Sequence, residues 1–198
     1  CNFDLSLLKW GCKTLLEADS ILGKNDSLRS RWKDVYARLT DFLFDPDEGW
    51  MIGRNRPYDM SHRHYSHLLM AYPLYLVNRD QLGGKEMIVK SVNHWQSIKG
   101  ALEGYSRTGA ASLYASVGEG DKALAYLEEF MQKSMQPNTC YQEGGNPVIE
   151  TPLSAARALL DMALQSWGGK IRIFPAIPGI WRDFAFDNLL AEGAFEVS

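Results

Sequence analysis

Apolar side chains recur at helical spacing from the start of the chain. Leu5, Leu8, Cys12, Leu15 and Leu16 form one stripe, and Leu28, Trp32, Val35, Tyr36 and Leu39 form a second. The first stripe predicts a helix with Asp4 as N-cap and Gly23 as stop; Asp26 or Ser27 caps the second. Asp45-Pro-Asp-Glu-Gly49 then breaks the pattern with turn-forming residues, and a polar loop runs on to Met60. Leu68 to Val77 predicts a helix that Pro73 ends or kinks. Further helices are expected at Lys85 to Ile98, at the small-residue-rich Ser106 to Val117, and at Lys122 to Lys133. Met135 to Pro147 reads as a loop. Thr151-Pro152 opens a last helix, with proline in its first turn, that continues to Trp167 and stops at Gly168-Gly169.

Beyond that point the period changes. Lys170 to Phe174 alternates polar and apolar residues as a strand does, and Phe184 to Phe186 and Ala194 to Val197 read as two more short strands. These few strands cannot close a sheet alone. The pattern therefore predicts a mainly α chain: a helical domain over 1–167 and the start of a β domain over 168–198.

Composition narrows the function classes. A 198-residue chain with 45% hydrophobic and 12% aromatic residues can bury a sizeable core. Its net charge of −3, with no basic run, argues against nucleic acid as a partner. No apolar run is long enough to span a membrane, and no signal peptide is present. Cys1, Cys12 and Cys140 are too scattered for a disulfide framework or a zinc knuckle. Cys1 in first place suggests a lipid-modified bacterial N-terminus, but the chain enters a helical pattern at once. A piece of a longer chain fits better, as does the missing initiator methionine.

The chemistry concentrates in one run, Ser61-His-Arg-His-Tyr-Ser-His67, which holds three of the four histidines at the mouth of an apolar segment. Polar groups in such a position need partners, so the cluster is a structural network, a metal site or a ligand site. A metal site would need these histidines to converge with a carboxylate such as Asp59. Trp50, in the same polar loop, reads most simply as a lid over the core. Glu150, just before Thr151-Pro152, sits where free backbone N–H groups at a helix start hold a carboxylate; without further context it reads as a first-turn acid or cap.

The run Ser61-His-Arg-His-Tyr-Ser-His-Leu68 followed by Tyr72-Pro73 resembles the His-Arg-His-x-Ser-His-Leu…Tyr-Pro segment of family 95 glycoside hydrolases, the inverting α-L-fucosidases. Four other stretches resemble that family in the same order: Asn2 to Trp10; Gly104-Tyr-Ser-Arg107 with Leu113-Tyr-Ala115; Gly118 to Ala123; and Leu164-Gln-Ser166 with Ile171 to Pro178 and Gly193 to Val197. The resemblance implies the C-terminal half of an (α/α)6 barrel followed by the first strands of a β domain. The general acid, a Glu, and two water-positioning Asn residues would lie upstream of this chain.

The family's base aspartate aligns without gaps on Glu150, with Glu143 in Tyr-Gln-Glu-Gly-Gly as a rival. Arg63 and His64 are implied as sugar contacts, Trp50 is a further candidate, and His62 and His67 brace the loop. Glu for Asp at 150, the missing Gly-Asn-Phe-Gly-Gly after it, and Trp167 in place of a His are departures, and they bear on sugar specificity more than on the chemistry. The family chemistry implies no metal and no cofactor. The implied partners are a carbohydrate substrate and the N-terminal remainder of the parent chain, with a secreted, periplasmic or cell-surface location. A noncatalytic sugar-binding relative and a purely structural helical repeat are the other function classes.

Overall fold

A computed structural model describes all residues, 1–198. It is mainly helical with four small two-stranded sheets, and it divides into two compact units.

The first unit comprises residues 1–58 and 66–77. Its helix α1 spans Asn2–Leu22 and ends on Gly23, whose φ of 60° needs a residue without a β-carbon penalty. Cys1, not Asp4, is the N-cap; the Cys1 thiol and the Asp4 carboxylate reach each other at 2.9 Å. Helix α2 covers Arg29–Arg38. The face that α1 buries is polar: Asn2, Ser6, Cys12 and Asp19. Asn2 donates to the carbonyls of Leu43 (2.9 Å) and Met51 (2.8 Å), and Arg29 donates to Asp19 at 2.5 Å. Of the stripe that predicted α1, Leu8 (50%) and Leu15 (45%) stay exposed, Leu5 and Leu16 are half-buried, and Cys12 is buried.

Strands β1 (Phe44–Asp45) and β2 (Gly49–Trp50) form a tight hairpin whose turn is held by the Asp45 carboxylate, accepting from the N–H groups of Asp47 (2.8 Å) and Glu48 (3.0 Å). The expected helix at Leu68 to Val77 is absent. Only a short 3-10 turn forms at Ser66–Leu68, followed by irregular turns. Pro73 has no N–H to give the carbonyl four residues back, so the α-helical ladder cannot pass it.

The second unit comprises residues 59–65 and 78–198. Helix α3 spans Gly84–Ser97, α4 Gly104–Ser116, α5 Gly120–Lys133 and α6 Glu150–Ala163. Helix α4 is the centre of this unit and packs on α3, α5 and α6. All its residues except Tyr105 and Arg107 are buried, which its Gly, Ala and Ser content permits by letting neighbouring backbones approach closely.

Strand β3 (Gln142–Glu143) pairs with β4 (Asn146–Pro147) across Gly144-Gly145, both at positive φ, inside the stretch read as a plain loop. Helix α6 ends four residues earlier than expected. Leu164–Trp167 is strand β5, paired antiparallel with β6 (Lys170–Ile173) through Gly168-Gly169 at φ 64° and 70°. The hairpin therefore straddles 167/168, where the periodicity changes. Gln165, fully buried, locks it by donating to the carbonyls of Ala115 (2.7 Å) and Asp161 (2.8 Å). Strands β7 (Leu189–Ala191) and β8 (Phe195–Val197) form the last pair. Phe184 and Phe186 form no strand and instead meet Phe174, at ring separations of 4.7 and 5.1 Å.

Candidate active site

Residues 61–65 are tied down at several points, which leaves the side chains of His62, Arg63 and His64 to face outward. The Ser61 hydroxyl accepts from Ala101 N–H (2.9 Å), the His62 carbonyl from the Trp95 indole (2.9 Å), and the Arg63 carbonyl from the Ser106 hydroxyl (3.0 Å). Tyr65 points inward and lies over Gly109, where an added β-carbon would come within 2.4 Å of the ring. Ser61, His62, Arg63 and Tyr65 are thus fitted to α3, α4 and the loop between them.

The outward side chains differ in their engagements. His62 accepts the His64 backbone N–H on Nδ1 at 3.0 Å, which makes it a brace for the loop. His64 is half-buried, with its ring 5.5 Å from Tyr105 in an edge contact. Burial first, then the positive charges of Arg63 and His62, hold its pKa below the ordinary 6.5, while the negative charge of Glu150 pulls the other way. A neutral His64 can donate from one nitrogen and accept on the other, which suits a hydroxyl ligand.

Arg63 forms an ion pair with Glu143 on β3. The second oxygen of Glu143 receives the Tyr141 hydroxyl at 3.3 Å, and the Glu143 side chain is only 12% exposed. Glu150 is different. It is exposed, it is the first residue of α6, and no side chain caps that helix end. Its place at the first position puts it beside the unpaired N–H groups and the positive dipole end of the helix.

Arg63, His64, Glu143 and Glu150 therefore belong to one neighbourhood of the second unit. Trp50 is not available as a sugar platform. It lies in the first unit at 2% exposure, edge-on to Phe44 at 5.6 Å, so neither face of the indole reaches solvent; burial in the hairpin core accounts for it. His67, at 4% exposure, stacks on Tyr58 in that same unit at 4.1 Å. Tyr105 and Tyr141 were not singled out from the sequence. For Tyr141 a signal existed: in an extended segment it shares a face with Glu143, two residues on.

The family model described as Glycosyl hydrolase family 95 catalytic domain matches residues 1–151 of the chain. No curated protein matches it.

Proposed function

The chain belongs to glycosyl hydrolase family 95, and from that premise we propose that it carries the base side and part of the sugar pocket of an inverting glycosidase acting on α-L-fucosides or a related sugar. One observation carries the reading. The Arg63–Glu143 ion pair joins the histidine loop to the β3–β4 hairpin that leads into Glu150 at the start of α6, segments far apart in sequence.

Inversion needs a carboxylate that draws a proton from water while an acid protonates the leaving group from the other side. Glu150 suits the base role better than Glu143. A base needs an oxygen free for the water, and both oxygens of Glu143 are taken, by Arg63 and by Tyr141. Glu150 is exposed, at the first position of α6, with both oxygens open to solvent water. Arg63 and His64 then hold the sugar hydroxyls, and Glu143 keeps the Arg63 guanidinium in place. No step in this scheme calls for a metal or cofactor.

The helices are in this reading part of an (α/α)6 barrel completed by the N-terminal remainder of the parent, which also brings the general acid. Open apolar faces support that completion: Leu8, Trp10 and Leu22 on α1, and Leu153 and Leu159 on α6. A glycan substrate of this class suits a secreted, periplasmic or cell-surface parent. The experiment is hydrolysis of 4-nitrophenyl α-L-fucoside by the full-length parent, with the first-formed anomer read by NMR. Release of the inverted anomer, abolished by Glu150→Gln, is the expected result; retention, or full activity of Glu150→Gln, overturns the assignment.

A further inference from the structure

One side chain outside the sequence-predicted site residues links the carboxylate side of this site to the helix core. Tyr141 is 3% exposed. Its ring meets Phe130 edge-on at 5.8 Å and lies against the backbone of Gly104, where an added β-carbon would come within 2.8 Å of the ring carbons. Its hydroxyl accepts the Gly104 N–H at 3.0 Å, at the start of α4, and donates to Glu143 at 3.3 Å. Its carbonyl accepts the Val148 N–H at 3.0 Å, closing the base of the β3–β4 hairpin just before Glu150.

We propose that Tyr141 is the positioning residue of the site, acting through Glu143 to set the Arg63 guanidinium. This rests on the glycosidase reading above. The directions of the hydrogen bonds give the reason. A phenol oxygen that accepts from a helix-start N–H has its single proton left to donate, and Glu143 is where that proton goes. The carboxylate is thereby turned with its other oxygen toward Arg63, and Arg63 is held in one orientation before the sugar arrives. The bond is long at 3.3 Å, so it steers Glu143 more than it binds it, and its loss lets Arg63 follow a mobile Glu143.

The test is a double-mutant cycle in the full-length parent with Tyr141→Phe, Glu143→Ala and both together, assayed on 4-nitrophenyl α-L-fucoside. Tyr141→Phe keeps the ring over Gly104 and removes only the hydroxyl. It is expected to raise KM roughly tenfold with kcat changed less than twofold, and to cost less than a further twofold in kcat/KM once Glu143 is Ala. A merely structural tyrosine would cost the same factor in both backgrounds, and that result overturns the proposal. A parent that hydrolyses no fucoside sinks the glycosidase reading instead. The same four proteins then decide the positioning by their thermal midpoints: non-additive losses support the coupling, and additive losses overturn it.

Discussion

Arg63 and Glu143 form an ion pair in which the arginine is 40% exposed and the glutamate only 12%. The asymmetry decides what each substitution does. Removing Arg63 leaves a mostly buried carboxylate without its counter-charge, whereas removing both partners leaves no such orphan.

Arg63→Ala is therefore expected to destabilise the parent by about 1–3 kcal/mol. Arg63→Ala combined with Glu143→Leu should recover most of that loss. Chemical denaturation of the three proteins checks it; equal losses for the single and the double variant would show that the pair does not govern the burial of Glu143.

Glu143→Gln and Glu150→Gln should separate kinetically. Glu150→Gln keeps size and shape at the start of α6 but cannot accept a proton, so kcat should fall by about 10²–10⁴ with KM nearly unchanged. Glu143→Gln keeps a hydrogen-bond acceptor for Tyr141 and weakens the hold on Arg63, so its main effect should be a raised KM. The reverse pattern would make Glu143 the base.

His64 gives a pH dependence whose sign follows from its environment. Burial, then Arg63 and His62, depress its folded-state pKa below 6.5, against the opposing pull of Glu150. The folded state thus binds fewer protons than the unfolded one through this window. The His64 contribution to stability is complete above pH 6.5 and is lost as the pH falls through the folded-state value. The thermal midpoint of the wild type should drop between pH 7.5 and pH 5.5 by more than that of His64→Gln, and a direct NMR titration should place the imidazole below its ordinary value.

Two glycines should respond oppositely to alanine. At Gly109 the new methyl would meet the Tyr65 ring at 2.4 Å, so Gly109→Ala is expected to cost about 1–3 kcal/mol and to shift the histidine loop. At Gly11, within α1, no atom lies within 4 Å of the added carbon, and Gly11→Ala should stabilise by up to about 1 kcal/mol through helix propensity. Calorimetry on both variants checks the pair.

The helices α3, α4, α5 and α6 were legible because their apolar periods run long enough to outvote local ambiguity. Leu164 to Trp167 was misread as helix because four residues fit either period, and the Gly168-Gly169 pair serves equally as a helix stop or a hairpin turn. Phe184 and Phe186 alternate as a strand would, but clustering around Phe174 decided their fate. On α1 a leucine stripe was visible, while the buried polar face depends on the carbonyls of Leu43 and Met51, which no helical period encodes. The histidine run announced the site by composition. Its connection to Glu143 runs through an ion pair between distant segments, which only the folded chain brings together.

Helix α4, covered on nearly every side, also has a bearing on time. Backbone segments with all their hydrogen bonds buried open only with the whole molecule, so their amides exchange slowest with solvent. The histidine loop is bonded to α4 through Arg63 and Ser106, and Tyr65 is seated against Gly109 of the same helix. The loop is thus attached to the slowest-opening part of its unit, and the proposed sugar contacts Arg63 and His64 are presented from a frame already at rest.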